Sequence, residues 1–344
     1  MPVSKGQPDQ HFLMPEKQAE GAAAKNVSID VSFIIVSWNT KDCLLKCLRS
    51  LAQTGKGCVG EIIVVDNASA DGSSQVVQEN FPNVRLVQNE KNVGFARANN
   101  AGIQLARGRY LCLINSDVEM LDGCVATLLR EMDAQPKIGM IGPKLLERDG
   151  RTQISCWGFP SLWNMFCCAL FLDRLFPKVA LFNGYQMMHR QRDGAQDVDI
   201  LGGAFWLTRR EAVQKVGGLD EGFFMYGEDM DWCKRFWQKG WRIHFHPSAC
   251  AIHYGGASSA NAPTRFYIEM QRANLQYWRK HHSGVAWIAI YLIYCLHHLV
   301  RIATHFGAML VRASRRADHR FKVQRSMACL AWLFGCRSTL SATR

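Results

Sequence analysis

Short apolar runs that end in acidic residues are the feature that most constrains the fold of this chain. Residues 62–65 form one such run, which ends at Asp66, and residues 110–114 form another, which reaches Asp117 after two polar residues. Short apolar runs of this kind are typical of buried parallel strands. In an open α/β sheet, ligands bind outside the carboxyl ends of the strands. The pattern therefore predicts an α/β fold with carboxylates gathered at one edge of the sheet.

A third acidic cluster, residues 228–231, follows the aromatic run 223–226 and a glycine. A single aspartate after a strand is usually a turn former. Three acidic clusters in one chain favour a different interpretation, because carboxylates grouped at a strand edge suit a divalent cation and, through it, a phosphorylated ligand. The motif G-x-G-x-x-G does not follow the first apolar run, and a P-loop is also missing from the sequence, which argues against a dinucleotide oxidoreductase.

Strands and helices alternate along the first 115 residues with short connections. This alternation predicts a doubly wound, mainly parallel central sheet with flanking helices. The predicted strands are residues 32–37, 61–66, 84–87 and 110–114, and the clearest predicted helices are the one that carries Leu44, Leu45, Leu48 and Leu51 on one face and the one over 95–106.

The positive charge is concentrated at the C-terminal end. Residues 264–344 contain 13 Lys/Arg and 2 Asp/Glu, whereas residues 1–263 contain 28 and 27. An electroneutral body with a basic, apolar tail does not suit a nucleic-acid partner and favours an anionic membrane surface. The 13 cysteines contain no C-x-x-C pair. We therefore expect buried or idle thiols in a reducing compartment and no zinc site.

Residues 285–296 form an uninterrupted apolar segment of 12 residues, followed by His297 and His298. This length is below the roughly 20 residues that cross a bilayer. Clustered arginines follow, among them Arg315 and Arg316. Three interpretations remain open, namely an interfacial anchor on an anionic leaflet, a membrane-spanning helix and a buried helix.

Seven segments, in this order, resemble glycosyltransferase family 2, the inverting enzymes of GT-A fold, and especially its bacterial rhamnosyltransferase-like members. The resemblance covers about residues 31–260. The segments are IIVSWN at 34–39, VDNASADGS at 65–73, NVGFARANNAG at 92–102, LINSD at 113–117, GGLDE at 217–221, GEDMDW at 227–232 and HYGGAS at 253–258.

The resemblance implies a Rossmann-like GT-A catalytic domain over residues 30–262. A flexible polar leader over 1–29 is expected before it, and a basic, helical, membrane-associated region over 263–344 after it. Residues 151–200 are rich in aromatic side chains and interrupt the strand–helix alternation. They are expected to form an insertion on the acceptor side that faces the substrate or the bilayer, with ordinary core helices as the alternative.

By the same resemblance, one group of residues binds the nucleotide. Asp66 can accept a hydrogen bond from the N3–H of a pyrimidine base, and the loop 92–94 can close over base and ribose. Asn100 has an alternative role as a helix residue that caps a neighbouring turn. The nucleotide-binding residues implied are Ser37, Asn39, Asp66, Asn67, Asn92, Gly94, Asn100, Asn115 and Ser116.

Residues 115–117 stand where the family has its D-x-D motif, with Asn115 in place of the first acid. Asp117 is then the one carboxylate of the motif, although an amide oxygen can also coordinate a hard cation. His253 matches a histidine that completes the metal site in several relatives, and a structural role is its alternative. The implied cofactor is Mg²⁺ or Mn²⁺. Ser258, Gly203 and Trp232 are candidates for the diphosphate and acceptor sides.

Asp229 is the expected catalytic base, oriented or tuned by Glu228, because adjacent carboxylates raise the pKa of one of the two. The implied reaction is inverting, metal-dependent hexosyl transfer. The donor is dTDP-L-rhamnose, with a UDP- or GDP-sugar as the alternative, and the acceptor is a lipid-linked or cell-surface glycan at the cytoplasmic face of the bacterial inner membrane. The alternative function is a membrane-tethered relative that binds nucleotide sugars with weakened catalysis, which Asn115 would favour.

Overall fold

The computed structural model describes residues 29–54, 60–187, 193–255, 262–311 and 313–336. Almost all of the predicted leader, and Ser258, lie outside these ranges. The described strands are β1 (Val31–Ser37), β2 (Gly60–Asp66), β3 (Arg85–Gln88), β4 (Tyr110–Asn115), β5 (Val118–Met120), β6 (Ile138–Leu146), β7 (Cys156–Trp157), β8 (Gln196–Asp197), β9 (Ile200–Leu201), β10 (Phe205–Arg209) and β11 (Arg242–His253).

Helices cover both faces of the main sheet, and longer ones follow it at the C-terminal end. A short 3₁₀ turn, Ala313–Arg315, precedes the last of them. The described helices are α1 (Lys41–Thr54), α2 (Ser73–Asn80), α3 (Phe95–Leu105), α4 (Cys124–Ala134), α5 (Leu162–Ala169), α6 (Leu172–Leu175), α7 (Arg210–Val216), α8 (Glu228–Gln238), α9 (Pro263–His281), α10 (Gly284–Val311) and α11 (Arg316–Leu333).

The main sheet has the strand order β3-β2-β1-β4-β10-β6-β11-β5, with β8 paired to β11. Strands β3, β2, β1 and β4 are parallel to one another, whereas β10 runs antiparallel between β4 and β6. Every residue of β2 is buried, as expected for a parallel strand with helices on both faces. The predicted α/β fold with flanking helices is confirmed, and the four strands predicted from apolar runs are all present.

Alternate residues of β1 supply two separate apolar layers, because successive side chains of a strand point to opposite faces. Phe33 and Ile35 pack in the layer that contains Leu44 and Leu48 of α1. Ile34 packs in the other layer, which includes Trp232 of α8. Three buried side chains of α9, Ala273, Tyr277 and Trp278, also belong to this second layer. Helix α9 is therefore part of the core of the sheet domain.

The register of β1 brings the ends of three strands together. Ser37 pairs with Asp66 at the end of β2, and Val36 pairs with Asn115 at the end of β4. The acidic and amide side chains that follow these strands therefore lie at one edge of the sheet, as the apolar runs predicted.

Candidate active site

A cleft of about 620 Å³ opens at the carboxyl edge of β1, β2 and β4. Its walls come from the strand ends, the loop before α3, residues 224–226, the end of β11 and the first turns of α9. Eight of the residues predicted from sequence line this cleft. They are Asn39, Asn67, Asn92, Gly94, Asn115, Ser116, Asp117 and His253.

Asp117 and His253 form a pair of potential metal ligands in the cleft. His253 Nε2 lies 3.3 Å from Asp117 Oδ1, and His253 Nδ1 lies 2.7 Å from the side-chain oxygen of Gln153. A carbonyl oxygen only accepts, so Nδ1 carries the proton of that contact. His253 Nε2 then faces the Asp117 carboxylate, and the two side chains could both contact a cation placed between them.

The donor set is small. Within the described ranges no third His, Cys, Asp or Glu joins the pair. Asn115 and Ser116 line the same wall of the cleft and add neutral oxygen atoms. Two protein ligands of this kind suit a cation that takes its remaining oxygens from a bound phosphorylated ligand and water, which is the usual situation of Mg²⁺ in nucleotide sites.

Asn67 holds the loop on the opposite side of the cleft. Its side-chain nitrogen donates to Asn92 Oδ1 at 2.8 Å, and its side-chain oxygen accepts from the Val93 N–H at 3.0 Å and from Asn89 Nδ2 at 3.1 Å. Asn92 Oδ1 also accepts from the Gly94 N–H at 3.0 Å. The position of the loop 92–94 is therefore fixed by side-chain hydrogen bonds before any ligand binds.

Gly94 lies against the loop that carries Phe224. Its φ is +88°, and a Cβ at this position would lie 2.5 Å from the Phe224 carbonyl oxygen. The next residue, Phe95, donates its N–H to the same oxygen at 2.8 Å. A glycine is therefore required here, because a side chain would push apart the two loops that form this wall.

Three non-glycine residues next to the cleft have left-handed backbone conformations. They are Asn39 at φ 52°, Ala68 at φ 64° and Tyr226 at φ 67°. The conformation of Asn39 is held by two contacts, from its own N–H to Ser69 Oγ and from the Ala70 N–H to its side-chain oxygen. Such strained backbone persists where surrounding contacts enforce it and is concentrated at functional sites.

Asp66 is buried at the end of β2, and one of its two carboxylate oxygens has a hydrogen-bond partner. Its Oδ2 accepts from the Ser69 N–H at 3.1 Å. Its Oδ1 is buried and has no hydrogen-bond partner in the part of the chain that the structure describes. A buried acceptor without a partner is costly to the folded state, so a ligand N–H is a reasonable candidate for it. Asp66 itself does not line the cleft, although its neighbour Asn67 does.

Four other predicted residues lie away from the cleft surface. Ser37 is fully buried and bonds to Thr40 Oγ1. The Asn100 side chain donates to the Leu219 carbonyl oxygen and accepts from the Leu219 N–H. These contacts match the alternative prediction, in which Asn100 caps a neighbouring turn. Trp232 is fully buried between Trp206 and Phe236, so the structure does not bring it to an acceptor. Gly203 packs against the Trp206 ring.

Glu228 and Asp229 begin α8, directly after the aromatic wall and Gly227. Burial, and then the neighbouring Asp229, raise the pKa of Glu228 to about 8. Burial also raises the pKa of Asp229, although its Oδ1 accepts from the Met230 N–H at 2.8 Å. Two adjacent buried carboxyl groups disfavour the ionisation of both, so this pair is more basic than exposed carboxylates, which suits a general base.

The charge of Asp229 acts on the 151–200 segment. Burial, and then this charge, raise the pKa of Tyr185. Burial, and then Tyr185, raise the pKa of Tyr294 on α10. Neither Glu228 nor Asp229 lines the 620 Å³ cleft itself.

Three residues of α9 line the cleft although the sequence did not single them out: Arg265, Phe266 and Glu269. Burial raises the pKa of Glu269. The i, i+4 spacing of Arg265 and Glu269 places the two on one face of a helix, which was the available signal.

Comparison with known proteins gives a consistent assignment. The profile of glycosyl transferase family 2 matches residues 32–217. N-acetylglucosaminyl-diphospho-decaprenol L-rhamnosyltransferase of Mycobacterium tuberculosis is 29% identical over 302 residues, which cover 85% of this chain and 96% of that protein. Rhamnosyltransferase WbbL of Escherichia coli is 26% identical over 65% of this chain and 83% of its own length.

Solved structures share the fold. Mannosyltransferase PcManGT from Pyrobaculum calidifontis, in complex with GDP-Man and Mn²⁺, aligns with a TM-score of 0.56 at 15% identity, over 91% of this chain and 89% of its own. GalNAc-T7, solved with UDP, GalNAc and Mn²⁺, aligns with a TM-score of 0.51 at 15% identity over 73% of this chain. This chain spans 50% of the length of GalNAc-T7.

Proposed function

We propose that this chain, which belongs to glycosyl transferase family 2, transfers L-rhamnose from dTDP-L-rhamnose to a hydroxyl of a lipid-linked glycan. The observation that carries the proposal is the cleft at the carboxyl edge of the sheet. There the Asp117–His253 pair, 3.3 Å apart, lies opposite the loop that Asn67 holds. One wall therefore suits a cation and diphosphate, and the other suits a base and ribose.

The rhamnosyl part of the proposal rests on the relatives. Two proteins similar to this chain over most of their length are named rhamnosyltransferases, and one of them acts on a diphospho-decaprenol acceptor by its name. We infer a related acceptor here, a polyprenyl diphosphate that carries N-acetylglucosamine. Such a lipid would present its sugar at the cytoplasmic face of the inner membrane. A UDP- or GDP-sugar remains the alternative donor.

A divalent cation, Mg²⁺ or Mn²⁺, fits the residues present. Asp117 and His253 would hold it, with Asn115 as an uncharged oxygen donor nearby. When bound, such an ion acts as a Lewis acid toward the diphosphate leaving group. Arg265 lines the same cleft and adds positive charge where the diphosphate would lie.

Asp229 takes the proton of the acceptor hydroxyl in this proposal. Protonated Glu228 beside it leaves one carboxylate free to accept, and burial keeps that carboxylate more basic than an exposed one. The hydroxyl oxygen then bonds to the anomeric carbon as the bond from that carbon to the diphosphate oxygen breaks. Attack from the face opposite the leaving group inverts the anomeric centre.

Turnover of defined substrates tests the proposed function. The full chain with dTDP-L-rhamnose, polyprenyl diphosphate N-acetylglucosamine and Mn²⁺ is expected to release dTDP and form a rhamnosylated lipid. EDTA is expected to abolish both, and UDP- and GDP-sugars serve as comparison donors. Tight nucleotide binding without turnover of any donor would contradict the proposal and support the catalytically weakened relative.

A further inference from the structure

One face of α10 is apolar and exposed over the whole helix. Val285, Ile288, Leu292, Leu299 and Leu310 are between 56% and 79% exposed. Their spacing of three, four, seven and eleven residues places them on one side of a helix with 3.6 residues per turn. Five large aliphatic side chains in a row are more than the scattered apolar residues of an ordinary soluble surface.

The opposite face of α10 is packed against protein, through Ile290 and Tyr294 in its first half and through polar side chains in its second half. The Arg301 Nε–H donates to His297 Nε2 at 2.7 Å, and the Arg301 guanidinium lies 5.2 Å from the centre of the Phe171 ring. His298 is fully buried. His305 Nδ1 lies 3.2 Å from a ring nitrogen of His319 on α11. This polar stripe is therefore used to dock α10 onto the rest of the chain.

The length of α10 alone does not decide how it meets a membrane. The helix has 28 residues and a mean hydropathy of 1.6 in its most apolar window, which is enough to cross a bilayer. A crossing helix, however, would have to carry the packed histidines, Arg301 and the attached α11 into the hydrocarbon. A helix that has one face packed on protein and an exposed apolar face along its whole length is suited to lie in the membrane interface.

A second exposed apolar patch lies next to α10, in the segment around α6. Leu175, Phe176 and Leu181 are 67%, 46% and 60% exposed, and Trp163 of α5 is 47% exposed. Helix α5 packs against α10. The Phe171 ring also receives the guanidinium of Arg174 at 5.4 Å, in addition to Arg301 from α10. The two apolar patches are therefore held together by direct packing.

Positive charge borders this surface. Arg315, Arg316 and Arg320 are exposed immediately after α10. Across the ranges given above, none of the three is within ion-pair distance of a carboxylate. Arginines without a carboxylate partner beside an apolar face are suited to anionic headgroups.

We propose that the outward face of α10 and the exposed apolar residues of 163–181 form one docking face for an anionic bilayer, with α10 lying in the interface. The docking face would leave the sheet domain and α11 on the same side of the membrane. If the proposed function also holds, a lipid-linked acceptor would meet the chain at this face without leaving the bilayer.

Vesicle flotation of the full chain tests the docking face without any nucleotide sugar. We expect binding to phosphatidylcholine vesicles that contain phosphatidylglycerol, and weaker binding without it. Leu292→Glu with Leu299→Glu is expected to reduce binding tenfold or more, because two exposed anchors become anionic. Leu175→Glu with Leu181→Glu is expected to reduce it as well.

A matched control adds the same two charges elsewhere. Gln78 and Gln104 are exposed on α2 and α3, and Gln78→Glu with Gln104→Glu is expected to bind vesicles as the wild type does. Unchanged binding of the Leu292/Leu299 variant would overturn the proposal. If the wild-type chain turns over the donor but does not bind vesicles, the docking face alone is contradicted. If it binds vesicles but turns over no donor, the proposed function alone is contradicted.

The orientation of the bound chain separates an interfacial helix from a spanning one. The chain, with a tag after its last residue, is bound to preformed vesicles and treated with protease from outside. Because α10 lies in the interface in this proposal, the tag is expected to be cleaved completely. A tag that stays protected until detergent opens the vesicles would show that α10 crosses, and would overturn the proposal.

Discussion

Asp229→Asn is expected to lower kcat by about 10²–10⁴, because in the proposed mechanism Asp229 accepts the proton of the acceptor hydroxyl. The side chain stays the same size, and its amide oxygen can still accept from the Met230 N–H. Nucleotide affinity is therefore expected to change little. The measurement is steady-state dTDP release with the lipid acceptor, together with the Kd of dTDP by calorimetry.

The pH dependence of the wild type provides a second readout of the same role. Because burial raises the pKa of Asp229 above its ordinary 3.8, kcat/KM is expected to fall on acidification at a higher pH than an exposed aspartate would give. The residual activity of Asp229→Asn is expected to lack this acidic limb. Glu79→Gln on α2, an exposed acid far from the site, is the matched control. An Asp229→Asn variant with full activity and an unchanged pH profile would exclude Asp229 as the base.

Asp231→Ala is expected to lower the free energy of unfolding by about 3 kcal/mol, because it removes a fully buried carboxylate and leaves the mostly buried Arg235 without its ion-pair partner. Asp231 is fully buried and contacts Arg235 at 2.8 Å, Lys280 at 2.7 Å and His281 at 2.7 Å. Lys280 and His281 lie on α9. The carboxylate therefore joins the helix that carries the Glu228–Asp229 pair to the helix that lines the cleft, and kcat is expected to fall as well.

The sign of the pH effect follows from the same contacts. Burial acts to raise the pKa of Asp231, but hydrogen bonds from His281 and Lys280 and the charge of Arg235 outweigh it and lower the pKa to about 2. The stabilisation is therefore complete above pH 3.8 and is lost as the pH falls toward 2. Urea unfolding at several pH values measures it. Asp149→Ala, which breaks an exposed ion pair with Arg151, is the control and is expected to leave stability unchanged. Equal stability of the two variants would contradict this account.

The nucleotide side of the cleft was largely predictable because its residues follow strands that the sequence marks by itself. Fully apolar runs locate β1, β2 and β4, and parallel pairing then brings Asn39, Asn67 and Asp117 to one edge. His253 required the family resemblance, because β11 lies four places from β1 in the sheet and no local pattern relates the two strands.

The parts that sequence reasoning did not place depend on tertiary packing. Trp232 stands beside an acidic cluster in the sequence, yet it packs between Trp206 and Phe236 in the core. The i, i+4 spacing places Arg265 and Glu269 on one face of α9, but packing against the rest of the chain decides that this face lines the cleft. The sequence of α10 does contain a pattern that marks its packed face, because His297, Arg301 and His305 recur every four residues.

The most direct test of the central claim is Mn²⁺-dependent nucleotide binding to the wild type and to Asp117→Asn. Calorimetric titration with dTDP is expected to give a wild-type Kd at least tenfold lower with Mn²⁺ than with EDTA, because a cation held by Asp117 and His253 would attract the charge of the diphosphate. Asp117→Asn is expected to lose most of this difference while it still binds dTDP weakly through the Asn67 side of the cleft. An Asp117→Asn variant that binds dTDP as tightly as the wild type, with the same dependence on Mn²⁺, would contradict the account.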